Sequence, residues 1–167
     1  PETEINLEIS SFQLLHTYSL RPRHGILLNI GLNHLDWHPD LTDYIEAKLR
    51  LFDHQDKEDF ALIRQADQRV RFPHYRFKGR VVFYDEAEGK NANENLLNIF
   101  TRLRGLNPVK TEEVLSYFDG LEHRMVKVAE IGGIQFINDS KCTTLEALIW
   151  ALDQFSEGKV ILLAGGH

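Results

Sequence analysis

Glu8-Ile9-Ser10-Ser11-Phe12-Gln13-Leu14 is the stretch on which the reading of the fold turns. Ahead of it, Ile5, Leu7 and Ile9 alternate with Asn6 and Glu8, the period of a strand. Behind it, Phe12 and Leu15 stand three apart, the spacing of one helix face. Ser10 and Ser11 are both good helix N-caps. A strand over 3–9 is therefore expected to give way at the serines to a helix over 10–18. Glu8 then ends a strand, at the edge where open α/β sheets bind their ligands.

Outward from there, the apolar run Ile26-Leu27-Leu28-Asn29-Ile30 is bounded by Gly25 and Gly31, the pattern of a strand buried on both faces of a parallel sheet. A polar loop from Gly31 to Asp40 follows, and then a helix is expected over about 41–53, with Leu41, Ile45, Leu49 and Phe52 on one stripe. Phe60–Ile63 and Val81–Tyr84 read as strands, whereas the basic and aromatic residues 64–79 show no clear pattern. Polar residues from Asp85 to Asn95 lead to a helix marked by Leu96, Phe100 and Leu103, with Gly105 as its C-cap. Another helix is expected over Thr111–Phe118, capped by Thr111. Gly120 is the candidate domain boundary. Beyond it, Gly132-Gly133 between two apolar runs is a hairpin signal. Leu145, Leu148, Ile149, Leu152 and Phe155 mark a helix over Thr143–Phe155, and Val160–Ala164 reads as a last strand.

The 167 residues are 43% hydrophobic and 26% charged, ordinary for a globular chain able to bury a core. Nineteen basic against 25 acidic side chains give a net charge of -6, which argues against a nucleic-acid or anionic-membrane surface. Cys142 is the single cysteine, so no internal disulfide forms and a reducing, cytoplasmic compartment is expected. No apolar run approaches the roughly 20 residues that span a bilayer.

The loops hold the chemistry, and each feature has a plain reading beside a sharper one. Lys48 falls in the apolar stripe of its helix. It either snorkels to water or is desolvated, its pKa lowered until a neutral amine is available to react with carbon dioxide. His34, Asp36 and His38 are either surface groups, with His38 exposed, or ligands to a divalent cation. Glu8 is either a solvated carboxylate or, with His34 and Lys48, part of a magnesium site for phosphate chemistry. In Asn138-Asp139-Ser140-Lys141, Asp139, Ser140 or nearby Thr143 either caps the next helix or helps present a helix N-terminus to an anion, with Lys141 reaching towards it. Arg124 is a hinge ion-pair partner or a phosphate clamp.

Taken together the motifs resemble one family. Glu8–Leu14, Asn29 with Asn33–His38, Tyr44 with Ala47-Lys48, Glu94–Asn98, Gly120–Arg124, Asn138–Lys141 and Ala164–Gly166 occur in the order found in the Mur ligases of bacterial cell-wall synthesis. The resemblance spans nearly the whole chain. Ser-Ser-Phe-Gln-Leu and Asn-Asp-Ser-Lys point, within the family, to the member that adds D-glutamate to UDP-N-acetylmuramoyl-L-alanine. The implied fold is α/β. Residues 1–120 would be the later part of a parallel-sheet, P-loop-type ATPase domain, the family's central domain, lacking its first part. Residues 121–167 would begin a Rossmann-like C-terminal domain. The implied reaction uses ATP to phosphorylate the substrate carboxylate, and the D-glutamate amine then attacks the acyl phosphate. Magnesium neutralises the transferring phosphate.

The resemblance also assigns residues. Glu8 and His34 would bind magnesium, and Lys48 would carry a carbamate that supports a second metal; these three are the catalytic expectation. Asn95 and Asn98 would contact adenine. Arg124, Asp139 and Lys141 would close over ATP, while Ser10 and Thr143 would lie near the substrates.

Glu94, Asn33, Cys142 and Thr144 depart from the residues usual at their positions. Cys142 reads as packed and unreactive. The chain also has no Gly-x-x-x-x-Gly-Lys-Ser/Thr phosphate loop. In the family that loop lies ahead of the segment that begins here, so the chain is expected to be an internal piece, inactive as a ligase by itself, with exposed apolar edges where its missing neighbours belong. Three other readings stay open: a sister ligase that adds a different amino acid, a non-catalytic metal- or nucleotide-binding relative, and a hydrolase using His34, Asp36 and His38.

Overall fold

Ala61, Leu62 and Ile63 are fully buried, and the first part of the chain is built around them. In this computed structural model, residues 3–31, 37–87, 91–155 and 158–165 are described, with the backbone alone at 69–71. The chain forms two units, Pro1–Thr111 and Glu112–His167.

The first unit holds a parallel sheet in the order β1 (His24–Leu27), β2 (Phe60–Arg64), β3 (Arg80–Tyr84). His24 pairs with Phe60 and Leu27 with Ile63, while Phe60 pairs with Arg80 and Arg64 with Tyr84. Parallel neighbours need crossover connections. These are α2 (Leu41–Leu49) with a turn of 3-10 helix at Arg50–Phe52, and α3 (Gln65–Arg71). Side chains alternate along β2. Ala61 and Ile63 join Leu27, Ile45, Leu49 and Phe52 on one face. Leu62 joins Tyr84 and Leu96 on the other, packed against α4 (Ala92–Leu103). The continuous apolar run of β2 is thus a strand covered on both sides.

Two close contacts fix this sheet. Gly25 lies under the Phe52 ring, and a Cβ there would stand 2.8 Å from Phe52 Cε1. The Tyr84 hydroxyl lies 2.8 Å from the Leu27 carbonyl oxygen and 2.9 Å from that of Leu28, so it binds the carboxyl end of β1 from two strands away.

α1 (Ser11–Leu15) precedes the sheet and packs on α2. It is shorter than the expected 10–18, because the chain leaves the helix at His16. The strand expected over 3–9 is irregular and exposed, and Ile5 is 82% accessible. Alternation alone does not make a strand: one needs a ladder partner, and β1 pairs with β2. The expected strand over 160–164 fails likewise, with Leu163 90% accessible. α3 lies in the segment without a readable pattern, and its first residue follows β2 directly.

α5 (Pro108–Ser116) starts at Pro108, a favoured first-turn residue, so Thr111 sits inside the helix and does not cap it. The second unit contains the hairpin β4 (Val126–Ile131) and β5 (Ile134–Asn138), turning through Gly132 at φ 59° and Gly133 at φ 80°. Two consecutive left-handed residues are what a type I′ turn needs, and glycine adopts them without strain. α6 (Leu145–Asp153) follows, and Thr144 caps it by accepting from the Ala147 N–H, in place of the expected Asp139, Ser140 or Thr143. No helix among the described residues is long and apolar enough to cross a membrane.

Gly25→Ala is expected to destabilise the first unit by about 1–3 kcal/mol, the usual cost of overpacking a tight core. Hydrogen exchange at the Ala61–Ile63 amides, which reads this unit by itself, should then quicken about fivefold or more. Tyr84→Phe should cost about 1 kcal/mol by the same measurement, through the hydroxyl it loses. Unchanged exchange in both variants would contradict the packing described.

Candidate functional site

Ser10 opens α1 with a capping box. Its Oγ accepts from the Gln13 N–H at 3.3 Å, and its own N–H donates to Gln13 Oε1 at 2.9 Å. This answers which of the two serines starts the helix. The other, Ser11, is buried and points at His38. Glu8 lies two residues before the cap, exposed, in the irregular segment. The strand end expected to hold it is absent, and the capped helix start positions that stretch of chain instead.

Lys48 lies on α2, which Asp40 opens by accepting from the Asp43 N–H at 2.9 Å. The lysine is half-buried, with Nζ 5.1 Å from the centroid of the Tyr44 ring one turn earlier. Burial holds its amine below the ordinary lysine pKa. Lys48 is thus partly withdrawn from water beside an aromatic ring, an arrangement that a snorkelling and a desolvated lysine share.

His34, with Asn33 and Asp36, lies outside the described residues. His38 is described, and the hydrolase reading fails on it. The ring is 1% accessible and both nitrogens are engaged, Nδ1 with Asp43 Oδ2 at 2.6 Å and Nε2 with Ser11 Oγ at 2.9 Å. It is neither exposed nor free to take a metal. Sequence reading missed this bridge, because Ser11 and His38 lie 27 residues apart. The one local signal was Asp43 in the first turn of a helix that follows His38 closely.

On α4, Asn95 donates its side-chain N–H to the Asp85 carbonyl at 2.8 Å, tying the helix to the chain leaving β3. Asn98, one turn on, is half-buried. Glu94 has a structural task, closing a capping box with Asn91.

In the second unit the expected residues gather around one turn. The Met125 N–H donates to Asp139 Oδ1 at 3.1 Å, and the Lys141 N–H donates to the His123 carbonyl at 3.2 Å. The loop with Arg124 and the Asn138–Lys141 turn are thus held together, with the Arg124, Lys141 and Thr143 side chains exposed. The Asn138–Lys141 segment does not sit on a helix N-terminus, since α6 starts later at its Thr144 cap. Burial and the Asp139 carboxylate raise the Cys142 thiol above its ordinary pKa.

Among the described residues, no three His, Cys, Asp or Glu side chains form a group that could hold a metal ion. A surface pocket of about 420 Å³, lined by Leu15, Asp43, Glu46, Arg50 and Tyr75 among others, includes neither Glu8 nor Lys48.

Residues 3–138 match the family described as Mur ligase middle domain. UDP-N-acetylmuramoylalanine--D-glutamate ligase of Desulfovibrio desulfuricans is 39% identical over 171 residues, covering 96% of this chain and 39% of that protein. The protein of the same name from Aquifex aeolicus is 34% identical over 188 residues, covering 99% of this chain and 45% of its own length. The chain spans about two fifths of the length of these curated relatives. With the family's domain matched over most of its length and such relatives along nearly all of it, the chain belongs to the Mur ligase family.

Proposed function

We propose that this chain serves an ATP-dependent ligase of peptidoglycan precursor synthesis. That ligase adds D-glutamate to UDP-N-acetylmuramoyl-L-alanine through an acyl phosphate. Residues 1–120 would form the later part of its central, ATP-binding domain and 121–167 the start of its C-terminal domain. The names of the relatives support the substrate reading. The observation that carries the chemistry is Lys48, half-buried over the Tyr44 ring, where burial holds its amine below the ordinary lysine pKa.

A neutral amine adds to carbon dioxide and releases one proton, leaving a carbamate whose single negative charge is shared by two oxygens. Glu8 and His34 are the proposed companions of that carbamate. Carboxylate and carbamate oxygens suit magnesium, which keeps several waters and needs few protein ligands. Such an ion supplies charge neutralisation at the transferring phosphate. Arg124 and Lys141, with exposed side chains in the turn that Asp139 ties together, are proposed to bind ATP phosphates from the second unit. Asn98 and Asn95 are proposed to meet adenine, Asn95 with the N–H and oxygen left beside its bond to the Asp85 carbonyl. Ser10 and Thr143 are proposed to meet the substrates.

Two experiments test this reading. In the first, the matching segment of the D. desulfuricans protein is replaced by this chain. The chimera should release ADP and incorporate labelled D-glutamate, and Glu8→Gln or Lys48→Ala should lower kcat about a hundredfold or more. A chimera that melts as a folded protein and turns over nothing would sink the proposal. In the second, the chain alone is given carbon-13 bicarbonate and followed by NMR. A carbamate signal that Lys48→Arg abolishes should appear as pH rises. Because burial lowers the Lys48 pKa, the signal should emerge at a lower pH than for lysine in a short peptide.

A further inference from the structure

We propose that His38 is a positioning residue: through Ser11, Asp43 and Tyr44 it fixes where the Lys48 amine stands. The meaning of that placement rests on the reading of Lys48 given above.

A buried imidazole must satisfy both nitrogens or lose stability. His38 does so with partners from two helices, Ser11 on α1 at 2.9 Å and Asp43 on α2 at 2.6 Å. The Asp43 carboxylate only accepts, so Nδ1 donates to it, and the Ser11 hydroxyl can pair with Nε2 as donor or acceptor. Neither helix can slide without breaking one of these bonds. The order of groups matches a hydrolytic serine triad. Ser11, however, is 2% accessible, so no substrate reaches its hydroxyl and the work of the bridge is geometric.

The ring is also gripped by its neighbours. Phe12 stacks on it at 5.6 Å and 13°, and Trp37 meets it edge-on at 4.9 Å. Tyr44 packs against it at 5.3 Å and 63°. The Tyr44 ring thus rests on His38, and the Lys48 amine lies over the Tyr44 ring. A contiguous path therefore runs from the hydrogen bonds at His38, through one aromatic ring, to the lysine. Packed side chains and hydrogen bonds can carry coupling between two sites, and the measurement below reads whether this path does.

The Tyr44 ring current reports that placement directly. In the chain labelled with carbon-13 lysine, the Lys48 ε-methylene protons should resonate upfield of those of the other lysines, with Lys48→Arg giving the assignment. Ser11→Ala, Asp43→Ala and His38→Ala should each remove about half or more of that upfield shift. Ser11→Ala with Asp43→Ala should cost no more than His38→Ala, because both act through one ring. His38→Asn, which keeps a donor towards Asp43, should recover part of it. Ser11→Ala removes a single hydroxyl, so it keeps the test open if the His38 variants fail to fold. Folded variants with an unchanged Lys48 shift would overturn the inference. The carbamate signal in the same samples is a separate readout: its absence from the unmodified chain would remove the Lys48 chemistry while leaving the positioning result to be judged alone.

Discussion

Burial of Ala61, Leu62 and Ile63 on both faces is the constraint from which the first unit follows. A strand covered on both sides sits between two neighbours, and parallel neighbours demand crossovers that pack on its faces. α2 lies against the Ala61 and Ile63 side, and α4 against the Leu62 side. Once β1, β2 and β3 run the same way, their carboxyl ends share one edge. The Tyr84 hydroxyl then reaches from β3 to the last carbonyls of β1, and its burial among apolar groups raises its pKa, which keeps it a neutral donor. That bond fixes the point at which the chain leaves β1 for the loop before α2.

Much of this was legible in the sequence because it depends on local patterns. The apolar run of β2, the stripe of α2 and the paired glycines of the hairpin each carry their instruction within a few residues. Boundaries were less legible, since capping competes locally: Thr144 wins over Thr143 and Asp139, and Asn91 opens α4 ahead of the apolar residues that signal it. The segment 3–9 has strand alternation and 160–164 a continuous apolar run, but neither has a ladder, a non-local requirement that a segment's own residues do not contain. α3 was hidden because its sequence is polar and follows β2 without a loop.

The candidate site divides the same way. Residue types at Glu8, Lys48 and the Asn138–Lys141 turn were readable, and so was the helix face that takes Lys48 into the apolar layer. What holds them was not. His38 looked like a surface ligand beside His34 because a histidine in a polar loop has no local mark of burial. Its two partners lie 27 residues before it and 5 after it, and only the packing of α1 on α2 joins them.

The second unit shows how a motif can be positioned at some cost in backbone energy. His123 at φ 65° and Met125 at φ 52° are both left-handed without being glycine, and Arg124 lies between them. Each such residue costs about 1 kcal/mol or more, and it persists only where its surroundings hold it. Here the restraints are specific. Asn138 Oδ1 accepts from the Ser140 N–H at 3.0 Å, so its amide nitrogen faces His123 Nδ1, 2.9 Å away, as the donor. His123 must then accept at Nδ1 and carry its proton on Nε2, the nitrogen that faces Glu122. With Asp139 accepting from Met125, both strained residues are tied to the end of β5. The hairpin thus determines the geometry of the Arg124 loop, and an exposed guanidinium is carried on a backbone with little freedom left to it.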